Sequence, residues 1–382
     1  MHVKTTPLID EDPPQRDAAL DRIARSIVEV GAAPAAVCAS GFRANGSWHW
    51  GLGAAGTLWP TSPSPATVDT IFDLASLTKP FAAVAAATES LTRFDWAAPL
   101  HSYLPELQNT AVGSATFEAL LSHRAGLLPH RELFQFSRSG HSFEPSQLLR
   151  IAANSNDNAL QTPLVAGQAV YSDLGYVLAG AAIERRAQKP LDLWLEDVLS
   201  DELLQRIGSA RQWLEKDPSF RQRCAPTEVI PWRGGVLWGS VHDENAWILS
   251  GHGMSGHAGL FGTALGVGYF GASVLDALAG LPSHVAARAA ELTTRSRNRG
   301  SLAAGFDRRS PAGSTAGNLA GRRAFGHLGF TGTSLWCNPD RSLVAVVLCN
   351  RVCPSRDNVR LRAMRSNLND SLFEWGISKQ SD

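Results

Sequence analysis

Apolar residues recur at helical spacing near the start of the chain, across residues 15–30. They are Leu20, Ile23, Ile27 and Val30. This spacing predicts an amphipathic helix with one buried face, and Gly31 and Pro34 end it. Residues 1–14 are polar and acidic, and we interpret them as a flexible lead-in.

Two strands and a nearly apolar helix follow. Residues 35–40 and 47–53 predict strands joined by a turn that contains Asn and Gly, and residues 54–70, rich in Pro, Ser and Thr, predict a loop. From Ser76 to Leu91 the chain is alanine-rich and apolar on all sides. A helix of that composition is usually central and buried.

The middle of the chain is less regular. Residues 95–200 predict mainly helices with loops, and residues 129–165 are irregular and polar, which suggests an insertion over a cleft. Residues 225–265 are rich in Gly, His and Trp and lack a period. We interpret them as a long structured loop.

Short strands return near the end of the chain, at Phe325–Gly329, Thr333–Asn338 and Leu343–Asn350, with a tight turn after Asn338. A helix over residues 357–373 closes the chain. Strands at both ends with helices between them predict the α/β (α+β) class, with one antiparallel sheet built from both chain ends and flanked by helices. We expect one domain over residues 15–378. Its α/β lobe would comprise 15–75 and 290–378, and a mainly helical lobe would comprise 76–289.

Composition narrows the function classes. Apolar residues make up 44% and charged residues 18%, as in an ordinary globular protein. The net charge is zero, so nothing indicates a nucleic-acid partner. No apolar run reaches the length of a membrane span and the N-terminus lacks an apolar signal region. A cytoplasmic location is expected, or a periplasmic one if the native start lies upstream. The five cysteines are odd in number, without metal-type spacing, and predict reduced buried thiols.

The strongest chemical signal is Ser76-Leu77-Thr78-Lys79. Of the five lysines, only Lys79 has a serine three residues before it. On a helix this spacing puts the hydroxyl and the amine on one face, as a nucleophile and its base require. The alternative is a helix start with a surface lysine, but the apolar surroundings of Lys79 argue against a solvated face.

Two further segments carry polar groups suited to catalysis. Tyr171-Ser172-Asp173 offers a phenol that can relay a proton and a carboxylate that can orient an amine; the alternative is a core tyrosine with Asp173 capping the following helix. The run from Phe325 to Thr333 is rich in glycine, which permits close approach of the backbone to a ligand. His327 within it can donate a hydrogen bond to a substrate or to Tyr171, or be a surface histidine on a bend.

Other polar residues have plainer explanations. His242-Asp243-Glu244, with His252 and His257, offers metal-type ligands, but adjacent ligands point in different directions and no known spacing occurs. We expect no metal and no cofactor, with Asp243 capping a short helix. Three tryptophans are expected to pack this loop, and His123 to make structural hydrogen bonds beneath the Ser76 helix. The tryptophans are Trp232, Trp238 and Trp247.

The three segments, in this order, resemble the penicillin-recognising serine enzymes, for which SxxK is a signature. Because its second segment carries a tyrosine, the chain resembles the class C branch of these enzymes. That branch includes β-lactamases, D-alanyl-D-alanine peptidases and esterases. Three more stretches resemble the β-lactamase-related serine hydrolases of that branch. They are Leu120–Leu127, Gly256–Thr263 and Asn350–Pro354. The resemblance covers about residues 15–375 and implies a β-lactamase/transpeptidase-like fold.

The resemblance also implies roles. Ser76 would be the acylated nucleophile, Lys79 and Tyr171 would share acid–base work, and Asp173 and His327 would complete the catalytic set. The backbone N–H groups of Ser76 and Phe330 would form the oxyanion hole. The substrate cleft would include Gly329, Thr331 and His257.

Two departures from the family pattern affect the expected substrate. Asp173 stands where the family usually has asparagine, and its charge favours a protonated Lys79, which shifts base work toward Tyr171. His327 stands where β-lactamases have lysine, and an unperturbed imidazole is cationic only below about pH 6.5. It would therefore hold a substrate carboxylate less firmly.

The resemblance predicts a serine hydrolase that forms an acyl-enzyme on Ser76 with a small ester, amide or β-lactam-like substrate. One alternative is a D-alanyl-D-alanine carboxypeptidase or penicillin-binding protein of cell-wall metabolism, against which the absent signal peptide counts. Another is a non-catalytic binding protein on the same scaffold. The partner is expected to be a small acyl compound, and the sequence leaves the oligomeric state open.

Overall fold

The computed structural model describes residues 14–61, 63–89, 95–140, 144–156, 168–297 and 300–381. The predicted lead-in lies outside the described residues, apart from Pro14. The strands are β1 (Gln15–Arg16), β2 (Ala35–Ala44), β3 (Ser47–Gly56), β4 (Phe72–Asp73), β5 (Ile207–Ser209), β6 (Val229–Ile230), β7 (Gly235–Val236), β8 (Leu260–Gly262), β9 (Asp307–Arg308), β10 (Phe325–Leu328), β11 (Ser334–Asn338) and β12 (Leu343–Cys349).

The α-helices are α1 (Ala18–Glu29), α2 (Thr78–Glu89), α3 (Phe117–Leu121), α4 (Gln135–Arg138), α5 (Pro145–Ala153), α6 (Asp173–Ala187), α7 (Leu191–Val198), α8 (Asp201–Leu204), α9 (Ala210–Lys216), α10 (Phe220–Arg223), α11 (Glu244–Ser250), α12 (Ala264–Leu278), α13 (Ala287–Thr294) and α14 (Leu361–Gln380). Short 3₁₀ turns lie at Ala75–Leu77, Leu100–Ser102, Pro105–Leu107 and Pro231–Arg233.

The main sheet joins the two ends of the chain, as the sequence predicts. Its strand order is β1-β3-β2-β12-β11-β10-β9, and all its pairs are antiparallel except β1 with β3. The β2–β3 hairpin turns at Asn45 and Gly46, both with positive φ (51° and 86°). That conformation suits the twist of a two-residue hairpin. The predicted Gly/Asn turn is therefore confirmed.

Helices cover both faces of this sheet. Helices α1 and α14 pack on one face, and α12 packs on the other against β2, β11 and β12. Helix α2 lies farther in, between α13 and the helices α6 and α7. Its side chains from Thr78 to Ala87 are buried, as the apolar pattern of that segment predicts. This burial places the N-terminal turn of α2, and Ser76 with it, where the sheet meets the helices.

The element boundaries differ from the predicted ones where short-range chemistry decides them. Helix α1 begins only after Asp17, whose carboxylate caps it by accepting from the Ala19 and Leu20 amides. The closing helix runs from Leu361 to Gln380, later at both ends than predicted. The predicted end of the α2 helix at Leu91 lies outside the described residues.

The interpretation of residues 225–265 as a loop was incomplete. The segment contains helix α11 and the β6–β7 pair, and it ends in β8, the central strand of a three-stranded sheet β4-β8-β5. Seven helical residues are too few to show a period, and the helix is fixed by its cap instead. Asp243 accepts from the Ala246 amide at 2.8 Å, which confirms the predicted capping role.

All five cysteines are free and buried, which confirms the prediction of reduced thiols. Among the helices of the described residues, none combines the length and the apolar character that a membrane span needs.

Candidate active site

The segment before Ser76 is held in an unusual backbone conformation. Strand β4 pairs with β8, and the buried carboxylate of Asp73 then accepts from the amides of Ala75 (2.8 Å) and His242 (2.7 Å). Ala75 has φ = 46°, a left-handed conformation that a non-glycine residue rarely adopts. Such strain persists only where neighbouring contacts fix it. The result is a sharp turn that presents Ser76, partly exposed, at the start of α2.

Ser76 and Lys79 meet as their spacing predicts. The Lys79 amine donates a hydrogen bond to Ser76 Oγ at 2.8 Å, and the lysine side chain is fully buried. Its Nζ also lies 2.7 Å from Asp173 Oδ1 and 3.4 Å from the His257 carbonyl oxygen. The amine is therefore fixed by one neutral hydroxyl, one carbonyl and one carboxylate.

Tyr171 enters the site from the segment before α6. Its ring centroid lies 4.8 Å from the Lys79 Nζ. The His123 ring stacks on the Tyr171 ring at 4.7 Å, and His123 Nδ1 accepts from the Ser172 amide at 3.0 Å. His123 thus makes the structural contacts expected of it, and it supports the tyrosine from behind.

Helix α6 is capped by Ser172 and not by Asp173. Ser172 Oγ accepts from the Gly175 amide at 3.4 Å. The alternative interpretation of Asp173 as the helix cap is therefore wrong. The carboxylate of Asp173, in the first turn of α6, faces Lys79 instead.

The charges of this set follow from burial and mutual contact. Burial opposes the charge of Lys79, yet Asp173 overcomes it and raises the pKa of the amine above its ordinary 10.5. Burial likewise opposes the Asp173 charge, but Lys79 and His130 hold the pKa of that carboxyl well below 3.8. Burial raises the pKa of Tyr171 above 10.0 despite the charge of Lys79. At neutral pH the resting set is an ammonium, a carboxylate and a neutral phenol.

The glycine-rich segment after β10 packs against the turn that carries Ser76. The Thr331 hydroxyl donates to the Asp73 carbonyl at 2.7 Å, and the Thr333 hydroxyl donates to the Leu74 carbonyl at 3.0 Å. A Cβ on Gly329 would lie 1.9 Å from Thr333 Oγ1, so only glycine permits this approach. The segment is thereby fixed beside the nucleophile.

The backbone N–H groups of Ser76 and Phe330 are the donors expected for the oxyanion hole. Neither the Ser76 nor the Phe330 N–H donates a hydrogen bond to another described residue. The Phe330 side chain is 49% exposed and stacks on the His242 ring, with the Arg351 guanidinium 4.5 Å from its centroid. Unpaired amides at such a turn are the donors that an oxyanion hole requires.

His327 is buried and neutral. Its Nδ1 lies 2.8 Å from the Leu328 carbonyl oxygen, and because a carbonyl only accepts, Nδ1 carries the proton. Burial, followed by the charge of Lys79, lowers the pKa of His327 to about 3. Nε2 is then an acceptor, so the predicted donation by His327 to a substrate carboxylate does not fit this tautomer.

A family model described as Beta-lactamase matches residues 21–368. The chain belongs to the beta-lactamase family. The resemblance and the fold class inferred from the sequence are both confirmed, and the protein is a serine hydrolase of this family.

Similar proteins carry several activities. A curated relative from Salmonella agona (strain SL483), named "Putative D-alanyl-D-alanine carboxypeptidase", is 25% identical over 338 residues, covering 80% of this chain and 75% of its own. The structure of EstCE1, described as a hydrolase with promiscuous acyltransferase activity, matches with a TM-score of 0.69 at 18% identity, covering 93% of this chain and 97% of its own. The structure of a class C beta lactamase from Rhodobacter sphaeroides matches with a TM-score of 0.65 at 17% identity, covering 94% of this chain and 100% of its own. At these identities the structural matches show the shared fold.

Two other residues of this beta-lactamase-family chain were expected to line the substrate cleft, His257 and Thr331. The side chains of both are buried. In the His257 ring, Nε2 lies 2.8 Å from Asp243 Oδ1 and Nδ1 lies 3.1 Å from Ser255 Oγ. Both side chains are bonded to protein groups, so we expect these two residues to support the cleft from behind.

The candidate metal ligands His242 and Glu244 are paired with protein groups. His242 Nε2 lies 2.9 Å from Glu228 Oε2, and Glu244 accepts from Arg356 at 2.6 Å. No group of three or more such ligands gathers within the described ranges. Trp232 and Trp247 pack edge to face at 5.8 Å, as the loop interpretation predicts.

Two residues of the site were missed by the sequence analysis. Asp73 shapes the turn before the nucleophile, and His130 lies with Nδ1 3.6 Å from Asp173 Oδ2. His130 lies three residues after the end of the Leu120–Leu127 stretch that resembles the family. That proximity was its one signal, because no local period links it to Asp173.

Proposed function

We propose that this protein hydrolyses a small ester or amide through an acyl-enzyme on Ser76. The observation that carries the proposal is the 2.8 Å hydrogen bond between Ser76 Oγ and a fully buried Lys79 amine. A serine hydroxyl is a weak nucleophile without such an activating partner. Attack would join Oγ to the acyl carbon, and water would later release the acid.

The base is Tyr171 or Lys79 after one of them has lost a proton. Asp173 favours protonated Lys79, which leaves base work to Tyr171, and the neighbouring ammonium lowers the cost of the phenolate. The base takes the proton of Ser76 Oγ as the new bond forms. It then returns a proton to the departing alcohol or amine.

The carbonyl oxygen of the substrate becomes negative during attack. The N–H groups of Ser76 and Phe330 would donate to it, and removal of one such donor typically costs a factor of about 100 to 1000 in rate. The positive end of helix α2 adds to this stabilisation. These roles explain why the segment at Gly329 is held so close to the turn at Ala75.

The state of His327 bears on the substrate class. With Nδ1–H donated to the Leu328 carbonyl and no charge at neutral pH, His327 offers no cation to a carboxylate. A substrate without an obligatory carboxylate therefore fits better than a β-lactam or a D-Ala peptide. The name of the Salmonella relative favours the second candidate function, a D-alanyl-D-alanine carboxypeptidase.

A substrate panel separates these candidates. The purified protein is assayed with p-nitrophenyl esters of short acyl chains, a D-Ala-D-Ala peptide and a penicillin. We expect turnover of the esters to exceed that of the two carboxylate-bearing compounds, and Ser76→Ala to abolish it. Ser139→Ala, at an exposed serine, is the matched control. Preferential release of D-alanine would favour the carboxypeptidase, and full activity of Ser76→Ala would overturn the proposal.

A further inference from the structure

His130 is the solvent-side neighbour of the Lys79–Asp173 pair. Its Nδ1 lies 3.6 Å from Asp173 Oδ2, while Asp173 Oδ1 faces Lys79 at 2.7 Å. The exposed fraction of the side chain rises outward, from 0% for Lys79 through 19% for Asp173 to 43% for His130. The imidazole therefore stands between the buried ion pair and solvent.

The backbone fixes His130 in this place from two sides. On the side of helix α6, the Asp173 amide donates to the Pro129 carbonyl at 2.9 Å and Ser172 Oγ donates to the Leu128 carbonyl at 2.6 Å. On the side of helix α11, Asn245 Nδ2 donates to the Arg131 carbonyl at 2.7 Å. The segment that carries His130 is thus anchored to both helices whose first turns line the site.

Three carboxylates act on His130, and the Lys79 ammonium lies behind the nearest of them. The carboxylates are Asp173 from α6, and Asp243 and Glu244 from the N-terminal end of α11. Asp243 is paired with His257 and Glu244 with Arg356, so Asp173 is the close acceptor. Contact with Asp173, together with the two farther carboxylates and against burial, raises the pKa of His130 above 6.5.

We propose that His130 is a positioning residue for the Ser76 reaction: it holds the outer oxygen of Asp173, and its imidazolium form offsets the carboxylate charge that keeps Lys79 and Tyr171 protonated. The inference rests on the proposed function. Either base must lose a proton before it can take the one on Ser76 Oγ, and the Asp173 charge opposes that loss. A cation at 3.6 Å from Asp173 weakens this opposition whichever of the two residues is the base.

Acylation of Ser76 moves one proton through Lys79 or Tyr171. Lys79 or Tyr171 releases a proton to solvent, then accepts the proton of Ser76 Oγ as the Oγ–carbon bond forms and the carbonyl electron pair moves to oxygen. Collapse of the oxyanion breaks the bond to the leaving group, which takes that proton back. His130 keeps its own protonation state throughout. It changes only how readily Lys79 or Tyr171 releases its proton to solvent.

The test compares rates of Ser76 acylation by an activated ester at pH 6 and pH 9. Without the imidazolium, His130→Gln is expected to be about tenfold slower than the wild type at pH 6 and nearly equal to it at pH 9. His130→Lys, which keeps a cation, should retain the rate at pH 6. His252→Gln changes an exposed histidine beyond the C-terminal end of α11. Its acylation rate should match that of the wild type at both pH values. In an Asp173→Asn background the effect of His130→Gln should become smaller, because the imidazole then has no carboxylate beside it.

A merely structural role would slow His130→Gln equally at both pH values, and that result would overturn the inference. NMR titration of the His130 ring gives a readout independent of turnover. Its pKa should lie above 6.5 in the wild type and fall in Asp173→Asn, whereas an identical value in both proteins would overturn the inference. Failure of the proposed function looks different, because Ser76 would then not be acylated in any variant at any pH.

Discussion

Replacement of Asp173 by asparagine tests the electrostatics of the site at its centre. The change keeps the size of the side chain and removes the carboxylate that lies 2.7 Å from the buried Lys79 amine. At that distance two unit charges attract by about 6 kcal/mol at an effective dielectric constant of about 20. Desolvation of both ions cancels part of this, and loss of one partner of a buried pair typically costs about 3–5 kcal/mol.

Lys79 can relieve the loss by giving up its proton. The pKa of the amine falls, because the carboxylate that raises it is gone. We therefore expect Asp173→Asn to lower the free energy of unfolding by about 3 kcal/mol at pH 7. The pH of half-maximal Ser76 acylation should move down, because the base loses its proton more easily once the Asp173 charge is gone.

The sign of the pH dependence follows from the two pKa shifts. The pKa of Lys79 is raised, so its contribution to stability is complete below its ordinary 10.5 and is lost as the pH rises through the higher folded value. The pKa of Asp173 is lowered, so its contribution is present above 3.8 and is lost as the pH falls through the lower folded value. The penalty of Asp173→Asn should be largest between these limits.

Urea unfolding across this pH range and ester kinetics provide the measurements. Asp197→Asn is the matched control, since Asp197 pairs with Lys189 at the surface and its loss should cost less than about 1 kcal/mol. An unchanged unfolding free energy for Asp173→Asn, together with an unchanged acylation profile, would refute the reasoning.

Three more predictions concern the glycine-rich segment. His327→Lys places a cation at the cleft. The ratio of kcat/KM for a D-Ala peptide to kcat/KM for a neutral ester should therefore rise about tenfold at pH 7. An unchanged ratio would contradict the conclusion that the neutral His327 disfavours substrates that carry a carboxylate. Gly329→Ala puts a Cβ 1.9 Å from Thr333 Oγ1. The rate of ester hydrolysis should fall at least about 100-fold, because the shift displaces the Phe330 N–H donor. Wild-type kinetics would show that the segment does not need glycine at this position. Thr331→Val leaves the buried Asp73 carbonyl without its 2.7 Å donor and should cost about 1–3 kcal/mol in urea unfolding, while Thr331→Ser should restore most of it.

Some of this site could be predicted from the sequence because it is local. Ser76 and Lys79 share one helical turn, so their spacing alone brings them together. The strands at both chain ends follow from their apolar runs, and the turn at Asn45 follows from its residue types. The division into lobes at residues 76 and 289 stays a prediction, and helix α12, from the expected helical lobe, packs on the sheet.

Other features depend on contacts that no period encodes. The neutral state of His327 is set by the Leu328 carbonyl oxygen, whose direction depends on the turn after β10. The place of His130 depends on bonds from Ser172 and Asn245, which come from two separate helix starts. Helix α11 is fixed by the Asp243 cap. Such tertiary contacts override local preference, and only the assembled chain reveals them.

The central claim is that Ser76 is acylated during turnover. Intact-mass measurement of the protein quenched during reaction with a slowly released ester, followed by peptide mapping, tests it most directly. We expect one added acyl group, located on Ser76, present in Ser139→Ala and absent from Ser76→Ala. Hydrolysis without an adduct on Ser76, or with an acyl group on another residue, would contradict it, and a protein that neither turns over esters nor labels would favour a binding role for this scaffold.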